Sequence, residues 1–161
     1  MNARALLFAA AVFGLSFAAS PRAEALCLLC SCSVSAGDMA FGAATPVSDT
    51  TIDAVASIDV NCTGLAAVGS ITVRMGPGNY GTIAARKMAS GVNRLDYNIY
   101  SDAARTAIWG DGSGGYSGVT VFNSLGLLTW NTSTPAYGRM TLPAIAIPGV
   151  YSDTVLVTVE F

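Results

Sequence analysis

The sequence predicts an all-β domain, an antiparallel sandwich, and three features carry that prediction. Short stretches rich in Val, Ile, Thr and Tyr alternate apolar and polar residues, clusters of Gly, Pro, Asn and Ser separate them, and no stretch sustains the 3.6-residue apolar period of a helix. The chain has 161 residues, and neither an internal repeat nor a linker divides it. It reads as one domain behind a leader.

The leader is residues 1–25. Asn2 to Arg4 is a short positive segment, Ala5 to Ala19 is an apolar run, and Ala23-Glu24-Ala25 is an A-x-A cleavage site. Together these are the parts of a secretory signal peptide. The run is shorter than the roughly 20 residues of a membrane-spanning helix, and nothing downstream is long and apolar enough to span. Residues 26–161 are then the exported domain, large enough for one sizeable core.

Export makes disulfides the default state of Cys27, Cys30, Cys32 and Cys62, which allow three pairings. The first strand is expected in Cys32 to Phe41, with a break at Ala36-Gly37-Asp38. Thr51 to Cys62 is the cleanest interior strand: Ile52, Ala54, Ala56, Ile58, Val60 and Cys62 share one face, and polar residues take the other, with Val55 the exception. Cys62 therefore faces inward, where a bridge to Cys32 ties two sheet elements and leaves Cys27 with Cys30.

Ser70 to Met75 is the next strand, closed by the turn Gly76-Pro77-Gly78-Asn79. Arg94 to Ser101 alternates Leu95, Tyr97 and Ile99 against polar neighbours, and only Asp102 to Ala107 has room for a helical turn. Ile108-Trp109 leads into a flexible loop, Gly110 to Gly115. Shorter strands are expected at Val119 to Phe122 and Leu127 to Trp130, and another at Ala136 to Leu142.

The last stretch, Gly149 to Phe161, alternates most regularly. Tyr151, Asp153, Val155, Val157, Val159 and Phe161 face one way, and Ser152, Thr154, Leu156, Thr158 and Glu160 the other. A strand that ends the chain has nothing after it to cover its edge, and a bare edge invites another strand. Asp153 falls on the inward side, where a carboxylate needs hydrogen bonds or a cation. Arg139 is one partner for it, and a strand-end position in water is the other account.

Chemistry is sparse. The sequence has no histidine, no serine in a G-x-S-x-G setting and only 11% charged residues, so catalysis is not expected. From Leu26 on, six bases against nine acids leave a formal charge of −3, which excludes a nucleic-acid footprint. Cys27-Leu-Leu-Cys30 has redox spacing without a βαβ context, the four cysteines lack a usual zinc spacing, and Asp111 alone gives the glycine loop too few oxygens for calcium. No cofactor or metal is expected.

Several segments, in order, resemble the spore coat protein U-like domain family: Cys32-Ser-Val-Ser, Phe41-Gly42, Val60-Asn-Cys62-Thr63, Leu95-Asp-Tyr97-Asn-Ile-Tyr100-Ser-Asp102, Ile108-Trp109-Gly-Asp111, Tyr137-Gly138, and Gly149 to Phe161. The most specific are the tyrosine-rich strand and the closing G-x-Y-x-D-T. That family includes pilin subunits of archaic chaperone-usher pili. The resemblance implies an immunoglobulin-like antiparallel β-sandwich that lacks its final strand. It further implies that a periplasmic chaperone, and then a neighbouring pilin subunit at the outer-membrane usher, lends the missing strand to an edge formed by Tyr151, Val155, Val157, Val159 and Phe161. The role implied is a surface fibre for adhesion or biofilm. One departure from the family matters. Cleavage after Ala25 leaves only Leu26 to Ser31 ahead of Cys32, roughly 20 Å of strand, whereas cleavage after Ala19 leaves Ser20 to Ser31. The alternative is therefore a self-contained secreted coat or ligand-binding module, or a fibre-end subunit.

Overall fold

The structure is a computed structural model that describes residues 26–46, 49–67, 69–123 and 127–160. Residues 1–25, the expected leader, and Phe161 lie outside them. Eight strands form among the described residues and no helix: β1 (Leu26–Ala36), β2 (Thr50–Ala67), β3 (Gly69–Met75), β4 (Arg86–Ser90), β5 (Asn93–Tyr100), β6 (Val119–Asn123), β7 (Leu127–Leu142) and β8 (Val157–Glu160). Two antiparallel sheets face each other, β1-β2-β7-β5-β4 and β6-β3-β8.

The frame is a two-stranded ribbon bent between the sheets. β2 pairs with β7 along its whole length, and β3 pairs with β6. Leu65 stands opposite Leu127 before the bend and Gly69 opposite Asn123 after it, four residues on along both strands, so the register is the same on both sides. Strands that turn a corner in this way join two layers without a long crossover. The alternation read from β2 holds, with Ala54, Ile58, Val60 and Cys62 buried and Val55 57% exposed on the outer face. Ile71, Val73 and Met75 of β3 close the core from the other sheet.

Four readings change. The stretches at Leu127 to Trp130 and Ala136 to Leu142 are one strand, β7. Pro135 interrupts the sequence pattern there, but at Pro135 only β2 flanks β7, because β5 joins it from Tyr137 on. A residue without an N–H is tolerated where a strand has one neighbour. β4 was not expected at all. Its start, Arg86-Lys87, reads as polar surface, yet Arg86 and Met88 are buried and Lys87 faces out to Asp96. Asp102 to Ala107 is a single turn rather than a helix. It is closed by the Arg105 N–H to Asp102 O bond (3.0 Å), and Arg105 sits at φ 58°, outside helical space. Finally, only Val157–Glu160 of the last stretch is laddered, against β3.

Cys32 faces Cys62 directly across β1 and β2, and the two form a disulfide with a Cα–Cα distance of 4.1 Å. The side chains of Cys27 and Cys30 lie outside the described ones, and so does their expected pairing. Between Leu28 and Ser31 the β1–β2 register shifts by one residue, a bulge on β1. β1 stops at Ala36, where the break was expected.

Candidate functional site

The sandwich is open along one side. Residues 36–46 form one wall, residues 146–157 the other, and between them lies a groove of about 780 Å³ whose floor is the core itself: Ile58, Met75, Met88, Ile99, Ala136 and Met140. Past Gly37, whose N–H still donates to Ser57 O (2.9 Å), the first wall is a segment without strand pairing. Met39 and Phe41 fix it, half-buried against the core, with Phe41 edge-on to Tyr97 at 6.1 Å between ring centroids. Gly138 admits this segment, because a Cβ there would meet the Met39 side chain.

The second wall is the last stretch of the chain. Tyr151, Val155, Val157 and Val159 pack half-buried on the core, while Ser152, Thr154, Leu156, Thr158 and Glu160 are exposed. The inward parity read for these residues is therefore the one observed; the expected fifth member, Phe161, lies outside the described residues. The wall changes sheets along its length. Ser152 exchanges two backbone bonds with Ala89 of β4 (2.9 and 3.0 Å), the Gly76 N–H donates to Leu156 O (2.9 Å), and from Val157 the stretch pairs with β3. Among the described residues, no strand pairs with the other edge of β8.

A polar lock holds this wall from behind. Asp153 accepts bonds at Oδ1 from the backbone N–H of Asn79 (2.9 Å) and of Thr154 (2.8 Å), and at Oδ2 from the Tyr97 hydroxyl (2.7 Å). Gly78, at φ 82°, is required, because a Cβ there would run into the Asp153 carboxylate. Arg139, the candidate cation for Asp153, is not there. It makes a two-pronged bond to Asp53 (2.8 and 2.9 Å), its direct cross-strand neighbour on the outer face of β2 and β7. Burial first, and then the Asp153 carboxylate, push the Tyr97 phenol well above its ordinary pKa.

Arg86 is the residue that sequence reasoning missed. Its guanidinium is fully buried and donates to Gly76 O (2.9 and 2.7 Å), Met75 O (3.3 Å), Trp109 O (2.8 Å) and Asn98 Oδ1 (2.6 Å). Asn98 in turn donates to Ile83 O and Ala84 O. Trp109, itself buried, donates its indole N–H to Val73 O (2.9 Å). This network ties β4, β5 and the 108–110 segment to the end of β3, whose next residue, Gly76, holds Leu156. The available signal was parity: Arg86 shares the inward side with Met88. Its backbone partners, the carbonyls of Met75 and Gly76 at the end of β3 and of Trp109, leave no mark in sequence.

What this arrangement offers is adhesion of backbone to backbone. An exposed strand edge beside an apolar trough accepts main-chain hydrogen bonds on one side and alternate side chains on the other. Among the described residues, no three His, Cys, Asp or Glu side chains gather as a metal site, and no helix is long and apolar enough to cross a membrane.

Comparison with known proteins places this geometry. Over 83% of its length the chain superposes, with TM-score 0.57 and 24% identity, on a chain of the crystal structure of the CsuC–CsuE chaperone–tip adhesion subunit pre-assembly complex, from the archaic chaperone-usher Csu pili of Acinetobacter baumannii. It spans 40% of the length of that chain. No curated protein matches the sequence. The likeness shows the fold, an immunoglobulin-like antiparallel sandwich. The family model described as the Spore Coat Protein U domain matches residues 17–158, and the chain belongs to that family.

Proposed function

We propose that the chain is an exported structural subunit of a surface fibre of the archaic chaperone-usher type, assembled by donor-strand complementation. Residues 1–25 serve as its signal peptide, and residues 26–161 as the subunit. In the periplasm a chaperone lends a strand to the groove. At the outer-membrane usher a neighbouring subunit replaces that strand, and the fibre serves adhesion or biofilm. The role is non-catalytic. The observation that carries this reading is the groove, an apolar floor of core residues flanked by the unpaired edge of β8. An apolar groove beside an unpaired strand edge is a place where another strand can add.

Producing residues 26–161 with and without a chaperone encoded beside it tests the proposal. We expect a soluble one-to-one complex with the chaperone and aggregation without it. A stable monomer that ignores both the chaperone and an added strand peptide overturns the reading.

One observation favours a second reading, a fibre-end subunit or a self-contained coat or ligand-binding module. Leu26 to Leu28 pair with Leu65 to Ala67 of the same chain, so the residues just ahead of Cys32 belong to its own sheet rather than hanging free as a donor. N-terminal sequencing of the secreted protein separates the two. A start near Ser20 supports a donor strand, and a start at Leu26 supports an end subunit.

A further inference from the structure

The groove is apolar along most of its length and carboxylate-lined at one end, and this asymmetry bears on what strand it accepts. Along the last stretch the inward positions read Tyr151, Asp153, Val155, Val157 and Val159. Asp153 and Tyr97 both line the groove. Asp38, Ser152 and Thr154 line it as well, but these are exposed, whereas Asp153 is half-buried.

The Asp153 carboxylate is fixed but not saturated. An ionised carboxylate has about four acceptor sites. Oδ1 takes two N–H donors, whereas Oδ2 takes only the Tyr97 hydroxyl. The nearest buried cation cannot supply the missing donor, because the Arg86 guanidinium is committed to the Gly76, Met75 and Trp109 carbonyls and to Asn98. A strand laid along this edge places alternate side chains on the same face as Val159, Val157, Val155 and then Asp153, at cross-strand contact distance.

Building on the strand-acceptor function proposed above, we infer that Asp153 sets the register and selectivity of the groove: it accepts strands whose inward side chains are apolar over Val155 to Val159 and carry a lysine or arginine opposite Asp153. A cation there completes the empty Oδ2 site. An aspartate or glutamate there faces a fixed carboxylate in a partly desolvated trough. The tyrosine hydroxyl and the two backbone N–H groups hold the carboxylate in place before any strand arrives, so binding reorders no side chain on this wall.

The test is a scan of nine-residue peptides with valine at alternate positions, in which each valine is replaced in turn by lysine, glutamine or aspartate. Binding to the subunit is read by competition against the all-valine peptide carrying a fluorophore. At one inward position lysine binds about fivefold tighter than glutamine, and aspartate about tenfold weaker than glutamine. At the remaining inward positions all three weaken binding. In Asp153→Asn the preference at that position disappears, while the all-valine peptide still binds, which also shows that the variant is folded. Should Asp153→Asn not fold, the wild-type scan alone decides. Equal losses for lysine and aspartate at every inward position overturn the inference. Failure of the all-valine peptide to bind at all counts instead against the acceptor function on which the inference rests.

Discussion

Arg86 shows how much of this molecule depends on single polar side chains in an apolar setting. A fully buried guanidinium lowers its own pKa through loss of solvent, while Tyr97, Asp153 and Asp111 act in the other direction. Carbonyl acceptors rather than a carboxylate satisfy it, so Arg86→Met leaves at least three backbone oxygens without donors. The expected cost is about 3 kcal/mol or more in urea unfolding. Arg86→Lys, which keeps the charge without the planar fork, recovers only part of it. The titrating residues predict a pH profile as well. Asp53 is held below the ordinary carboxylate value by the Arg139 hydrogen bond first, with Arg105 adding to it; Asp102 is lowered chiefly by the Ala107 N–H, and Asp111 by Ser113. Their folded values are depressed, so their stabilisation is present above the unfolded value of 3.8 and is lost as pH falls through the lower folded values. Tyr97 is shifted upward from 10.0, so its contribution is complete below that value and disappears as pH rises past it. Unfolding free energy measured across pH should be level from about pH 5 to about pH 9 and fall on both sides. Tyr97→Phe should flatten the alkaline fall and leave the acid one.

At the scale of elements, the sequence reveals strands whose faces differ in polarity and hides those whose partners are remote. β2 was legible because Ile58, Val60 and Cys62 alternate with Ser57, Asp59 and Asn61, and of the three possible pairings the favoured one, Cys32–Cys62, is the one observed. The wall from Tyr151 to Val159 was legible for the same reason. β7 was seen in pieces, because Thr132 to Pro135 carries no apolar alternation and its place is fixed by β2 opposite. β4 was invisible, because a buried arginine imitates a surface one in any pattern of hydrophobicity. The disulfide joins two strands at the edge of the larger sheet across a sequence separation of 30 residues. Closing a loop of that size restricts the unfolded chain by about 3–4 kcal/mol. Cys62→Ser should therefore lower stability by about that amount, and hydrogen exchange should locate the loosening in β1 before β7. Unchanged thermal stability would show that the bridge contributes nothing.

For the whole molecule, the bent ribbon explains why the opening lies where it does. β2 and β7 on one sheet and β3 and β6 on the other pair in the same register on either side of the corner, and this joins the two layers on one side. Opposite it, among the described residues, the layers are joined by loops and by the wall that passes from Ala89 to β3. The core is thus anchored at the bend and bordered by the groove on the other side, and one added strand should fill that groove. Appending to Phe161 a four-residue turn and a nine-residue strand with alternating valines lets the chain fold back along the β8 edge as a hairpin. Such a strand gains main-chain bonds to an edge that otherwise faces water and covers Met75, Met88 and Met140. Tethering removes most of the entropy cost of bringing it there. We expect this variant to be a monomer without any chaperone, with Tm raised by about 10 °C or more and with slow hydrogen exchange appearing at Val155 to Val159. Replacing the inward valines of the added strand by lysine should abolish the gain, because the backbone bonds alone do not fill the trough. If the lysine strand stabilises as well as the valine strand, edge pairing rather than groove filling governs closure of the sandwich.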